Sequence, residues 1–99
     1  MITIAPEDLQ MVQNILRQYI PQRTVWAFGS RVVGNAKPYS DLDLAILGDN
    51  PLSLQEHADL ADAFSQSDLP WKVDLVDWHL ISEEFRNIIR QKYWIIQAV

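Results

Sequence analysis

Two aspartates, one residue apart, have the residue types and spacing of a site for divalent-cation chemistry. Asp41 and Asp43 alternate with Leu42 and Leu44, which is the pattern of a strand with one polar and one apolar face. Residues i and i+2 of a strand point to the same face, roughly 6.5–7 Å apart at the backbone. Their carboxylates can therefore converge on a hard cation, which prefers oxygen ligands and offsets their mutual repulsion. The same pattern is also typical of a solvated strand face, so the pair alone leaves both interpretations open.

A glycine–serine pair lies upstream, where a short apolar strand is predicted to end. Residues 24–28 are β-branched or aromatic except for Ala27, and they run into Gly29 and Ser30. Glycine permits a sharp turn and lets a ligand approach the backbone. A strand that ends in such a turn before a helix presents N–H groups and a hydroxyl outward, which suits phosphate oxygens. Without further support, Gly-Ser after a strand is more often an ordinary turn.

A third carboxylate, Asp74, lies between the apolar residues Val73 and Leu75 in the predicted strand 72–77. If this predicted strand neighbours the strand that carries Asp41 and Asp43, all three acids can meet. The alternative is that Asp74 lies on the solvent face of an edge strand. Asp77 is out of phase with Asp74 and falls at the end of the strand, so we favour it less as a ligand.

The spacing of these motifs resembles that of a known enzyme family. Ten residues separate Gly29-Ser30 from Asp41-Leu42-Asp43, and this resembles the Gly-Ser-x10-Asp-x-Asp signature of the DNA polymerase β-type nucleotidyltransferase superfamily. The resemblance is greatest to its small branch, the MNT (minimal nucleotidyltransferase) domain proteins that pair with HEPN-domain proteins. It also includes Gly34 and the sequence Ser-Asp-Leu-Asp-Leu at 40–44, and it spans nearly the whole chain. Val33 departs from the pattern, because many relatives have arginine there.

The resemblance implies a metal site and a polymerase β palm-like fold. Asp41 and Asp43 would hold two Mg²⁺ ions, with Mn²⁺ as an alternative, and Asp74 would complete the site. In two-metal catalysis the ions favour the deprotonated acceptor and neutralise charge on the departing pyrophosphate. Asp74 is also the candidate general base.

The resemblance further implies a site for a nucleoside triphosphate, with ATP as the expected donor. Gly29 and Ser30 would cradle the β- and γ-phosphates. Arg31 would assist the triphosphate, or would instead form a surface salt bridge.

The expected reaction is transfer of AMP to a tyrosine of a partner HEPN toxin, with this chain acting as the antitoxin. A chain of 99 residues has room for the chemistry but not for an acceptor-binding domain, which favours a separate helical partner. Two alternatives remain open. The acceptor could be a small hydroxylated molecule, or the chain could neutralise a toxin by binding alone.

Predicted helices and strands interleave along the chain, which indicates an α/β (α+β) fold with a small mixed sheet of three or more strands flanked by helices. Helices are expected at 6–19, in a turn after Ser30, after a capping box at Ser53 and Glu56, and after Ser82. Strands are expected at 24–28, 41–47 and 72–77, the first two as antiparallel neighbours because the connection is short. We expect a single domain over residues 1–99.

Two helix assignments rest on apolar spacing. The inward stripe of the third helix is predicted to contain Leu54, Ala58, Ala61 and Phe64. The apolar positions of the last helix are predicted to include Phe85, Ile88, Ile89 and Ile96. The apolar segment 93–99 either completes the core or forms a docking surface.

Composition excludes several classes of protein. There is no cysteine, and neither His57 nor His79 has a partner at zinc-binding spacing. The formal charge of −5 argues against general nucleic-acid binding. The sequence has no apolar run of membrane-spanning length and no signal-like start, so the expected location is the cytoplasm.

Overall fold

The computed structural model describes residues 2–99. Its centre is a four-stranded mixed sheet in the order β3-β2-β1-β4. Strand β1 is antiparallel to both β2 and β4, whereas β2 is parallel to β3. The strands span Val25–Phe28 (β1), Leu42–Ile46 (β2), Val73–Asp77 (β3) and Trp94–Gln97 (β4). This architecture confirms the predicted mixed α/β fold and the antiparallel pairing of the first two strands.

Four helices flank the sheet, and their ends follow from local sequence. They span Pro6–Tyr19 (α1), Ser30–Val33 (α2), Leu54–Ser65 (α3) and Glu83–Gln91 (α4). Helix α1 begins at Pro6. Proline suits the first helical position, because an N–H there would have no partner within the helix and the φ of proline is already helical. At the start of α3 the Ser53 hydroxyl accepts from the Glu56 N–H, and the Glu56 carboxylate accepts from the Ser53 N–H, so the predicted capping box is confirmed.

The two faces of the sheet have different cover. On one face, α1 and α3 pack over Leu42, Leu44 and Ile46, which are fully buried. On the other face, Ile89 of α4 packs with Phe28 and Ala45 in a smaller cluster. Asp43 lies between Leu42 and Leu44 in β2, so its side chain belongs to this second face. The alternation predicted for this strand is thus confirmed.

The end of the chain differs from the prediction, because residues 94–97 form strand β4 rather than part of the last helix. Helix α4 ends at Gln91, and Lys92 is extended, with φ −157°. Trp94 and Ile95 then pair with β1, and Ile96 is buried in the larger core cluster. The prediction that Ile96 belongs to the apolar face of a helix was wrong, because pairing with β1 stabilises an extended backbone here.

The predicted stripe of α3 was only partly right. Phe64 is buried, but Leu54 is 93% exposed and Ala58 is also exposed. Leu60, which was not in the predicted stripe, is fully buried. Leu54 is the first residue of the helix. Within residues 2–99 no helix has the length and apolar character needed to cross a membrane.

Candidate active site

The candidate site begins where β1 ends. Gly29 follows Phe28 with φ 80° and ψ −157°, a backbone conformation that is essentially restricted to glycine. Its carbonyl accepts from the N–H groups of Val32 and Val33, both at 3.0 Å, which closes the short helix α2. Ser30 is therefore the first residue of α2, partly exposed beside the turn.

Asp43 lies directly against this turn. It is the register partner of Phe28 in the antiparallel pair, so it is adjacent to Gly29. A side chain at residue 29 would overlap Oδ2 of Asp43, and its Cβ would lie 3.2 Å from Cγ of Asp43. The absence of a side chain at Gly29 thus provides the space for the Asp43 carboxylate.

Asp74 lies opposite Asp43 across the parallel pair of β2 and β3. Register partners of neighbouring strands project from the same face, so the two carboxylates are neighbours. Asp41 is exposed and lies one residue before β2. β3 therefore lies next to β2, which is the condition under which the three acids can meet.

The electrostatic state of Asp43 reflects this crowding. Burial, and after it the negative charges of Asp74 and Asp41, together raise the pKa of Asp43 to about 6. In these surroundings an uncompensated negative charge on Asp43 is unfavourable, so the carboxylate favours binding a proton or a cation. The donor set therefore has the chemistry of a hard divalent cation site.

The convergence of the acids is incomplete. Over residues 2–99, no three acidic, histidine or cysteine side chains are gathered closely enough to form a metal site as they stand. Asp43 and Asp74 are cross-strand neighbours, whereas Asp41 flanks them from the preceding loop. Since Asp41 is exposed and outside the strand, it is the acid whose side chain is least confined.

Arg31 has different partners from those we expected. Its side chain is 4% exposed, and Nε and Nη2 both donate to the Ser40 carbonyl, at 2.9 and 2.6 Å. Nη2 also donates to the Pro38 carbonyl at 3.2 Å, and Nη1 donates to the Thr3 carbonyl at 2.9 Å. Burial lowers the pKa of Arg31, although the charges of Asp8 and Asp41 oppose this shift. The guanidinium thus binds backbone carbonyls, and neither the expected triphosphate contact nor the expected surface salt bridge describes its geometry.

Asp77 makes structural hydrogen bonds to the backbone, which agrees with the expectation that it is the less favoured metal ligand of β3. Its Oδ2 accepts from the Leu52 N–H at 2.8 Å, and its Oδ1 accepts from the His79 N–H at 3.0 Å. Asp77 is buried and caps the 3₁₀ turn Trp78–Leu80. The ring of His79 contacts the Gly48 carbonyl, and His57 lies on the exposed side of α3.

Trp71 lies near the site, although no sequence pattern singled it out. The Arg31 guanidinium lies 4.6 Å from the centre of its ring. Trp71 also lines a cavity of about 340 Å³ between the end of α3 and the start of β3, together with Phe64, Leu69 and Val73. The three acids are not among the residues that line this cavity. The candidate chemistry therefore lies outside this cavity.

Comparison with known proteins places the chain in a family. Residues 10–98 match the family described as Polymerase beta, Nucleotidyltransferase. Because this range includes nearly all of the 99 residues, the chain belongs to that nucleotidyltransferase family. The match confirms the resemblance seen in the glycine–serine and Asp-x-Asp motifs.

Individual relatives extend the comparison. A Haemophilus influenzae protein named probable protein adenylyltransferase MntA is 56% identical over 96 residues, which cover 97% of this chain and 84% of the relative. A crystal structure of a toxin–antitoxin with AMP-PNP has a TM-score of 0.77 and 26% identity, covering 92% of this chain and 73% of that one. A structure of a tri-AMPylated Shewanella oneidensis HEPN toxin in complex with MNT antitoxin has a TM-score of 0.64 and 26% identity, with the same coverage.

Proposed function

We propose that this chain is an antitoxin that transfers AMP from ATP to a tyrosine of a HEPN-domain toxin. The observation that carries the proposal is the pairing of Asp43 with Asp74 beside the glycine turn at residue 29. The relatives support the donor, the reaction and the partner, since they include a probable protein adenylyltransferase and complexes that contain AMP-PNP or an AMPylated HEPN toxin. We further propose that residues 1–99 form one catalytic domain and that it acts in the cytoplasm.

Asp41, Asp43 and Asp74 would hold the catalytic metal, which we propose to be a pair of Mg²⁺ ions, with Mn²⁺ as a substitute. Bound divalent cations supply charge neutralisation on the triphosphate and promote loss of the acceptor proton. The fit rests on the crowding around Asp43, whose pKa is raised to about 6 by burial and by the charges of Asp74 and Asp41. A set of carboxylate oxygens with no sulfur or imidazole donor favours such hard cations.

The roles of the residues follow from their positions. The turn at Gly29 and Ser30 would bind the β- and γ-phosphates through backbone N–H groups and the serine hydroxyl. The tyrosine oxygen attacks the α-phosphorus, a bond forms between them, and the bond from that phosphorus to the β-phosphate bridging oxygen breaks. Pyrophosphate leaves, and the carboxylate of Asp74 accepts the phenol proton.

The direct test mixes the chain, ATP, Mg²⁺ and the HEPN protein, and then measures the mass of each protein. We expect the HEPN protein to gain one or more adenylyl groups. The gain should disappear with Asp41→Asn combined with Asp43→Asn. A matched control is Asp59→Asn with Asp62→Asn, which removes two charges from the exposed side of α3 and should keep the activity.

Two results would overturn the proposal. If the Asp41→Asn, Asp43→Asn variant adenylylates as well as the wild type, the acids are not catalytic. If the wild type adds no AMP, yet the double variant still binds and neutralises the toxin, the chain is an antitoxin that acts by binding alone. AMP transfer to a hydroxylated small molecule without any partner would instead identify the other kind of acceptor.

A further inference from the structure

Arg31 connects the parts of the chain that carry the candidate site. It lies on α2, one residue after Ser30, and its guanidinium makes two hydrogen bonds to the Ser40 carbonyl. That carbonyl belongs to the peptide unit that joins Ser40 to Asp41. The position of Arg31 therefore bears directly on the backbone of a proposed metal ligand.

The loop that precedes Asp41 depends on this side chain. Within residues 35–40, the Lys37 N–H donates to Ser40 Oγ and the Ser40 N–H donates to the Lys37 carbonyl, which are bonds inside the loop. Among the residues that the structure describes, the hydrogen bonds from this loop to the rest of the protein are those that Arg31 makes to Pro38 and Ser40. Without them the loop would have no hydrogen bond to anchor it.

The same guanidinium contacts the segment that leads to the third acid. Its stacking on Trp71, at 4.6 Å, holds it beside the residues that enter β3. Trp71 lies three residues before Asp74 along the chain. The planar arginine fork is suited to this combination, because it donates in its plane to several carbonyls while its face packs on an aromatic ring.

We infer that Arg31 is a positioning residue, which fixes the peptide between Ser40 and Asp41 and so sets the place from which the Asp41 carboxylate can reach a cation at Asp43 and Asp74. The inference rests on the proposed function, because it concerns the metal site of that reaction. Arg31 acts through Asp41 and touches neither nucleotide nor metal. Residues that orient metal ligands typically affect affinity by 10- to 100-fold when they are changed.

The test compares Arg31→Lys with Arg23→Lys. Arg23 is a matched control, because it is also buried and donates to three carbonyls, those of Leu47, Asn50 and Pro51, but at the opposite end of β2. Lysine keeps the charge in both variants but cannot reproduce the fork. Mn²⁺ alone serves as the metal, and the free ion is measured by electron paramagnetic resonance.

We expect Arg31→Lys to weaken Mn²⁺ binding by about 10-fold or more, as for other residues that orient ligands. Arg23→Lys should leave Mn²⁺ binding unchanged, although both variants should lower the Tm. In the adenylylation assay, Arg31→Lys should need more Mg²⁺ for half-maximal rate, with the KM for ATP at saturating Mg²⁺ unchanged. Trp71→Leu, which removes only the stacking, is the variant to use if Arg31→Lys fails to fold, and it should also weaken Mn²⁺ binding.

Equal behaviour of the Arg31 and Arg23 variants would overturn the inference, since it would mean that Arg31 contributes stability alone. A raised KM for ATP with unchanged Mn²⁺ affinity would also overturn it, because that result indicates a direct phosphate contact. Failure of the proposed function looks different. The wild type would then not adenylylate the HEPN protein, and the Asp41→Asn variant would bind Mn²⁺ as well as the wild type does.

Discussion

The carboxylate of Asp43 lies in the space that a side chain at residue 29 would need. A Cβ on Gly29 would overlap Oδ2 of Asp43, and the glycine itself has a φ of 80°. The residue is thus required to be glycine for two reasons, its own backbone conformation and the position of the acid. The glycine of the proposed phosphate-binding turn and the aspartate of the proposed metal site are therefore one structural unit.

We predict from this unit that Gly29→Ala will nearly abolish adenylyl transfer. The strained backbone should cost about 1–3 kcal/mol of stability, and displacement of the Asp43 carboxylate should reduce the rate by about 100-fold or more. The measurement is the rate of AMP incorporation into the HEPN protein, together with a urea unfolding curve.

Gly34→Ala is the control for the effect of backbone conformation alone. Gly34 has a φ of 97°, but a Cβ there would meet nothing within 4 Å. We expect a loss of stability of about 1–2 kcal/mol with the rate changed by less than about threefold. If both alanine variants lose activity equally, the contact between residue 29 and Asp43 is not what matters for the reaction.

A second prediction concerns pH. Burial and the charges of Asp74 and Asp41 raise the pKa of Asp43 from 3.8 to about 6. The folded protein then binds more protons than the unfolded chain between these values, so the free energy of unfolding falls as pH rises through this range. After discounting for solvent screening we expect a loss of about 1 kcal/mol.

Urea unfolding in the presence of a chelator, at several pH values between 4 and 7, measures this effect. Asp43→Asn should flatten the dependence and make the protein more stable than the wild type at pH 7. A wild type and variant that differ by the same amount at every pH would contradict the prediction.

A third prediction concerns the metal. Because a divalent cation at the proposed site would compete with protons for Asp43, we expect Mg²⁺ to raise the Tm at pH 7.5 and to do so less at pH 5. Asp43→Asn should remove most of the increase, whereas Asp59→Asn should not. A differential scanning fluorimetry series over Mg²⁺ concentration measures both, and an equal increase in the two variants would indicate non-specific binding.

Local sequence patterns accounted for the elements that carry the site. The alternation of Leu42 and Leu44 with acids predicted β2, and Ser53 with Glu56 predicted the start of α3, because each signal involves residues within one turn or strand. The pattern predicted a strand around Asp74 but left open whether it lies beside β2, and the structure supplies that pairing.

Long-range contacts account for what the patterns missed. Ile96 follows Ile88 and Ile89 at a helical spacing. Its conformation is decided instead by pairing with β1, a strand about 70 residues away along the chain. The family resemblance implied that Arg31 assists the triphosphate or forms a surface salt bridge. Its partners are carbonyls of residues 3, 38 and 40, and carbonyl acceptors leave no mark in the sequence.

The last prediction separates the two aspartates of β3. Asp74 is exposed and lies opposite Asp43, whereas Asp77 is buried and accepts from two backbone N–H groups. Asp74→Asn should therefore change stability by less than about 0.5 kcal/mol but reduce the rate by about 100-fold or more, because the variant lacks the proposed general base. Asp77→Ala should cost about 2–4 kcal/mol, because the N–H groups of Leu52 and His79 are left without their charged acceptor. Below its lowered Tm, that variant should keep nearly full adenylylation.

Thermal unfolding and AMP incorporation measured on both variants decide the assignment. The reverse outcome, in which Asp77→Ala is stable but inactive while Asp74→Asn is active, would move the third metal ligand and the base from Asp74 to Asp77.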